Sequence, residues 1–388
     1  MDDAHRRWAV LFASSYAFVA FAFSLQSMPP LIGEIMHEFN LSNAQAGLSM
    51  SIVVIPGIFL AIPAGILIER HGVRLVGSIS SALVSLGSLV TATAGSFEMV
   101  LVGRFILGIG GAFITTVTPA MIPQWFTREE LGRATGIYGI GMPIATVLAF
   151  PSASSLMLKY GWHYSIYLSA AVAILNTIVF MILAREGPLG RERHKEPGVR
   201  TALTNAEVWK VGIIWLLFNA AALSFTTWGP KILQDYDGMS PVSASFLAST
   251  IMLAEIPCVP AFGLLSDRIR KRKSMMFIGC AAMAGAFVLT AHSSGMVLIA
   301  SIILLGIAAS STPPVVMALP AEILGPDSVA IGFGVVAICM NAGIALGPPF
   351  VGFLLDAIGS PVPSFLAMGL FSAIGATVAS VLKTNNVH

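Results

Sequence analysis

Twelve apolar runs of about 20 residues each constrain this chain more than any other feature of its sequence. They fall at 8–28, 45–68, 75–95, 98–119, 133–157, 163–184, 208–230, 242–266, 274–292, 296–318, 328–355 and 362–382. In hydrocarbon every backbone N–H and C=O must pair within its own segment, so each run reads as a membrane-crossing helix. The stretch 274–321 holds no Asp, Glu, Lys or Arg and is too long for one crossing; His292-Ser293-Ser294-Gly295 divides it. Charged residues make up only 10% of the chain, against about 25% in a soluble domain. The expected fold is an all-α integral membrane bundle. Arg6 and Arg7 before an apolar run look like the start of a signal peptide. The run 8–28 outlasts a signal core and ends on no small-residue cleavage site, so it reads as the first span.

The basic residues orient the bundle. With the N-terminus in the cytoplasm, the inner segments hold 18 of the 21 Lys and Arg, and the outer loops only Lys159 and Lys231. That bias places both termini inside. Trp8, Trp162, Trp209 and Trp228 lie near span ends, where an aromatic belt is expected. The longest polar stretch, within 185–210, separates six spans from six. The expected organisation is a six-helix half over 1–184, a cytoplasmic linker over 185–207 and a second half over 208–388. The linker's basic residues could also meet anionic lipid headgroups. The net charge of +2 suggests no nucleic-acid partner. Cys258, Cys280 and Cys339 lie in apolar runs without metal or disulfide spacing, and read as packing residues.

One charged loop is written twice. Gly65-Ile66-Leu67-Ile68-Glu69-Arg70-His71-Gly72-Val73-Arg74 returns as Gly263-Leu264-Leu265-Ser266-Asp267-Arg268-Ile269-Arg270-Lys271-Arg272-Lys273, shifted by 198 residues. Gly108 and Gly306 are again 198 apart, and each opens a small-residue stretch that lets helices approach closely. Such repetition suggests two similar halves. The first copy, G-x-L-x-[D/E]-R-x-G-x-R between the second and third spans, resembles the loop signature of the major facilitator superfamily. The second copy matches to Arg268 and then departs, with Arg270 where the first has Gly72. The span count extends the resemblance over nearly the whole chain. It implies twelve helices in two pseudo-symmetric halves, a central cavity, and transport by rocking of the halves. It also implies that Gly65, Glu69, Arg70, Gly72 and Arg74, with Gly263, Asp267 and Arg268, form a cytoplasmic latch, a loop acid pairing with an arginine and a helix end of the opposite half. Without the resemblance, the loops read as tight turns with topology-setting charges.

Two charges lie deep in the spans. Arg104 stands about seven residues, roughly 10 Å, into the fourth. An arginine there costs several kcal/mol unless it meets a partner or water. Arg104-x-x-x-Gly108 resembles a fourth-span arginine motif of the superfamily, which implies proton coupling or the holding of neighbouring helices. By itself the residue reads equally as a hydrogen-bond hub or as a side chain snorkelling outward. Glu255 is the one acid near a span centre, where lost hydration penalises its charged form. It is a candidate proton carrier or partner for a cationic solute; a permanently protonated acid bonded to a carbonyl is the alternative. Tyr16, Gln26, Tyr138, Asn219, Trp228 and Asn341 are uncharged candidates for solute contact, or for bonds between helices.

No Walker loop, H-E-x-x-H, G-x-S-x-G or carboxylate cluster occurs, which argues against an enzyme or an ATP-driven pump and for no cofactor. The expected function is secondary transport of a monocarboxylate or a neutral or zwitterionic metabolite, coupled to protons through Glu255 and Arg104. A single deep cation fits a dianion or nitrate site poorly. The alternatives are proton-driven efflux of drugs or amphipathic cations, and a sensor or partner subunit that no longer transports. In span 5, Gly136-x-x-Gly139-x-Gly141-x-Pro143 resembles the antiporter pattern only loosely, because Met142 interrupts its Gly-Pro step. The chain is expected to be a monomer in a prokaryotic inner membrane.

Overall fold

A computed structural model describes residues 3–188, 203–269, 271–324 and 328–383. Among these, every regular element is helical, and twelve helices are long and apolar enough to cross a membrane. The spans are numbered here in chain order. Span 1 is Asp3–Gln26. Spans 2 and 3 run through Asn43–Ala92 as one helical tract, interrupted by non-helical geometry at Gly72. Span 4 is Phe97–Met121, span 6 Trp162–Leu183, span 7 Ala206–Asp235, span 8 Pro241–Ile269, span 9 Arg272–Ala291, span 11 Val329–Ile358 and span 12 Pro361–Ser380. Most of the expected linker, and Arg270 of the second loop copy, lie outside the described residues.

Spans 5 and 10 are each two helices. Span 5 comprises Arg128–Gly139 and Gly141–Tyr160. Pro143 has no N–H to give to Gly139, so the ladder stops there. Span 10 comprises Gly295–Ala309 and Thr312–Ile323. Pro313 and Pro314 start its second helix, where a missing N–H costs nothing. The Ser310 and Ser311 hydroxyls donate at 2.7 Å to the carbonyls of Gly306 and Ala308.

The chain divides into two compact units, Met1–Leu41 with Leu48–Glu192, and Ser42–Gly47 with Arg193–His388. In the first, spans 3 and 4 approach through Gly87, Gly103 and Gly110, where a Cβ would strike backbone of the facing helix. A Cβ on Gly108 would overlap the Val53 carbonyl of span 2. In the second unit spans 7 and 11 pack along Gly212–Cys339, Leu216–Gly343 and Ala220–Gly347. This four-residue ridge brings the backbones together at small residues. Ser42–Gly47 belongs with this unit because Asp356 of span 11 caps it, accepting from the N–H groups of Asn43 at 2.9 Å and Ala44 at 2.8 Å.

The aromatic belt is half of what the sequence suggests. Trp8 and Trp209 are exposed, but Trp162 and Trp228 are buried. The indole of Trp162 donates to Glu38, and that of Trp228 to the Pro348 carbonyl at 2.8 Å. An indole whose N–H finds an acceptor inside the protein has no need of the interface.

Candidate functional site

Arg104 is buried, at 1% exposure. Its Nε donates to the Ser49 carbonyl at 3.1 Å, Nη1 to Ser24 at 3.0 Å, and Nη2 to Leu25 at 3.2 Å and the Met50 sulfur at 3.3 Å. Ser24 and Leu25 lie in the last turn of span 1, whose carbonyls have no partner within the helix. The guanidinium caps that end and ties it to spans 2 and 4, a favourable place for a cation. No carboxylate touches it among the described residues. Its geometry is that of the hydrogen-bond hub.

Glu255 stands midway along Pro241–Ile269. It is half-buried. The exposed residues around it, Phe246, Leu253, Pro257 and Pro260, lie on the opposite side of the helix. No hydrogen bond or salt bridge holds its carboxyl among the described residues, in contrast to the bonded acid that was its alternative.

The uncharged candidates separate by unit. In the first, Tyr138 stacks on Phe18 at 4.8 Å and shares a 2.9 Å hydrogen bond with Thr118. Gln26 donates to Thr146 at 3.0 Å, leaving its Oε1 buried and unpartnered. The Tyr16 hydroxyl donates to Val172 at 3.4 Å. In the second, the Asn219 amide donates to the Trp215 carbonyl at 2.8 Å. Trp228 is held by Pro348 as a packing residue. Asn341 is half-buried on the face of span 11 turned away from the Gly343 contact with span 7. Sequence reasoning missed Trp215, which stacks on Phe218 at 4.9 Å and whose buried indole N–H has no partner. Within an apolar run, only its capacity to donate set it apart.

The repeated loops are each braced within their own unit. Gly72 adopts φ +82°, and a Cβ there would collide with the Glu186 carboxylate. Arg74 donates from its backbone N–H to Glu186 at 3.3 Å and from its side chain to the Met181 carbonyl at 3.1 Å. In the second copy Arg272 bonds Asp267 at 3.0 Å, Ser266 at 3.0 Å, and Glu322. Arg74 and Arg272 are 198 residues apart, so the last arginine of each copy does the bracing. Glu69, Arg70 and Arg268 are exposed. A Cβ on Gly65 would meet nothing within 4 Å, and one on Gly263 only Pro314 in ordinary contact. No group of three or more His, Cys, Asp or Glu is placed to hold a metal among the described residues.

Comparison with known proteins agrees with this architecture. The sequence profile of the Major Facilitator Superfamily matches residues 12–246 and 232–388. A nitrite extrusion protein of Bacillus subtilis is 25% identical over 64% of this chain and 62% of its own length. A probable nitrate/nitrite antiporter of Thermus thermophilus is 27% identical over 69% of this chain and 63% of its own. The matched stretch thus spans under two thirds of either relative. A hexuronate transporter of Bacillus subtilis is 23% identical over 86% of this chain and 85% of its own length. Among solved structures, a bacterial homologue of the human lysosomal transporter Spinster superposes with a TM-score of 0.82, at 16% identity, over 97% of both chains.

Proposed function

The chain belongs to the Major Facilitator Superfamily and is a multi-pass membrane protein, and we propose that it is a secondary active transporter moving a small organic solute by alternating access. The solute is a monocarboxylate or a neutral or zwitterionic metabolite, and transport is coupled to protons through Glu255. The observation that carries this reading is the unpartnered carboxyl of Glu255 midway along span 8. Such an acid, turned from the exposed face of its helix and free of protein partners, can bind a proton or a cationic group in turn. Arg104 takes the positioning role, since backbone carbonyls already occupy its guanidinium. Several relatives carry names of nitrate or nitrite transport. Among the described residues the deep spans offer no arginine free to take an anion, which favours an organic solute. The charge bias of the loops places both termini in the cytoplasm. The exposed Glu69, Arg70 and Arg268 remain available to a latch between the halves.

The test is a proteoliposome assay with a pH-sensitive dye sealed inside and solutes added outside one at a time: monocarboxylates, amino acids, sugars and amines. A solute-dependent pH change, absent in Glu255→Gln, is expected. A labelled solute that crosses with the internal pH flat would overturn proton coupling.

A further inference from the structure

We propose that Trp215, Asn219 and Glu255 form a solute subsite within the second unit that takes a zwitterion, its ammonium on Glu255 and the Asn219 amide oxygen and its acceptor end on the Trp215 indole N–H. This deepens the transport reading above and rests on it.

The placement follows from the contacts around span 7. Successive helix positions are 100° apart. Gly212, Leu216 and Ala220 face span 11, Leu217 faces Gly375 of span 12, and Phe225 packs on Phe287 and Phe365 of spans 9 and 12. By the same spacing Trp215 and Asn219, one turn apart, lie between the face turned to span 11 and the side of Gly229, and both are buried. Span 8 meets span 7 where Ala248 lies 3.3 Å from a Cβ built on Gly229. Glu255 follows Ala248 by seven residues, two turns along the same stripe. It therefore lies about 10 Å along the axis from that contact, level with Ala222 of the antiparallel span 7 and within a turn of Asn219.

Chemistry then selects the ligand. Among the described residues the Trp215 N–H has no acceptor, in a side chain only 7% exposed. Buried donors are nearly always paired, so an acceptor from outside the chain is called for. Asn219 spends its N–H₂ on a carbonyl, which only accepts. No donor to its amide oxygen occurs among the described residues, so the oxygen can accept from a ligand. Glu255 supplies negative charge within a turn of it along the axis. Lys210 and Lys231 sit toward the ends of span 7 and are paired with Glu207 and Asp235. A simple anion would thus meet Glu255 with no compensating cation, while a simple amine would leave the indole N–H orphaned. A zwitterion satisfies all three groups. Asn219 and Trp215 are about 6 Å apart along the axis, which suits an ammonium and a carboxylate separated by three methylenes.

The test is calorimetric titration of the purified full chain in detergent with 4-aminobutanoate, butanoate and 1-aminobutane. The zwitterion is expected to bind at least about tenfold tighter than either single-ended analogue. Trp215→Phe keeps the ring on Phe218 but removes the N–H. It is expected to weaken 4-aminobutanoate about tenfold and to leave 1-aminobutane unchanged. Glu255→Gln is expected to weaken both amines and spare butanoate. The subsite is overturned if butanoate binds as tightly as 4-aminobutanoate, if none of the three binds, or if Trp215→Phe weakens all three alike. The comparison of three ligands on the wild type stands whether or not a variant folds. Binding in detergent needs no gradient, so a Glu255-dependent pH change in liposomes with no zwitterion preference here would remove the subsite and leave proton-coupled transport standing.

Discussion

Replacing Arg104 separates a residue kept for its charge from one kept for its geometry. In Arg104→Met the side chain keeps its bulk and loses every hydrogen bond. Ser49 still accepts the bond of its own helix, but Ser24 and Leu25, in the last turn of span 1, lose the donors that cap them. Each orphaned carbonyl costs about 1–3 kcal/mol, so the loss is roughly 2–6 kcal/mol. Removing a desolvated charge with no acid partner returns part of it, leaving a net of about 2–4 kcal/mol. Arg104→Lys keeps the charge and its desolvation cost. A single ammonium on a flexible stem cannot span carbonyls from two helices as the planar fork does. Lysine is therefore expected to destabilise at least as much as methionine. The assay is the thermal unfolding midpoint of both variants in one detergent, alongside proton-driven uptake in liposomes. If Arg104→Lys is clearly the more stable of the two and also restores uptake that Arg104→Met lacks, charge is what matters and the positioning role is wrong.

Gly108→Ala is expected to unfold the protein at a lower temperature than Gly306→Ala. The first methyl would lie 2.1 Å from the backbone oxygen of Val53, while the second would lie 2.9 Å from Ile251 Cα and the Ala254 methyl, a lesser overlap though also against backbone; equal midpoints would contradict the packing. Gly72→Ala is expected to cost about 1–3 kcal/mol from its backbone geometry alone, φ +82° with ψ 161°, a region that essentially only glycine occupies, and more because the new methyl would displace the Glu186 carboxylate; an unchanged midpoint would refute the turn geometry.

The twelve crossings are legible because an apolar run of fixed length has one solution in lipid. Where a crossing breaks is less so. Pro143, Pro313 and Pro314 are visible as bends, but a proline tells only which backbone bond is lost and not what replaces it. The depth of Arg104 along span 4 can be counted. Its acceptors cannot, because they are backbone carbonyls from residues 55 to 80 positions away, and every residue has one. Trp162 and Trp228 misled for the same reason, since an indole near a span end is drawn inward when an acceptor waits there. Asp356 is an acid at the end of an apolar run until the fold brings the start of span 2 to it.

The 198-residue repeat shows which of these features are packing and which are chemistry. The contact of Gly108 with Val53 recurs as Gly306 with Ile251, and both pairs are shifted by 198. The bracing arginines, Arg74 and Arg272, obey the same shift. These positions serve the shared architecture, and both halves keep them. The deep polar groups do not obey it. Arg104 corresponds to the buried Ile302, and Glu255 to Gly57. Asn219 corresponds to Phe21 and Trp215 to Ala17, both buried in the apolar core of the first unit. If Glu255, Asn219 and Trp215 served only to pack helices, nothing would require them in one half alone. A single asymmetric solute needs different groups at its two ends, and a subsite in one half provides them without a matching copy in the other. The double variant Gly57→Glu, Glu255→Gly would keep the charge count and move the acid to the equivalent place. Transport lost in that double variant, with the unfolding midpoint retained, is the outcome expected of a site that reads both ends of its solute. Transport retained would mean that only the acid matters, and that Trp215 and Asn219 are packing after all.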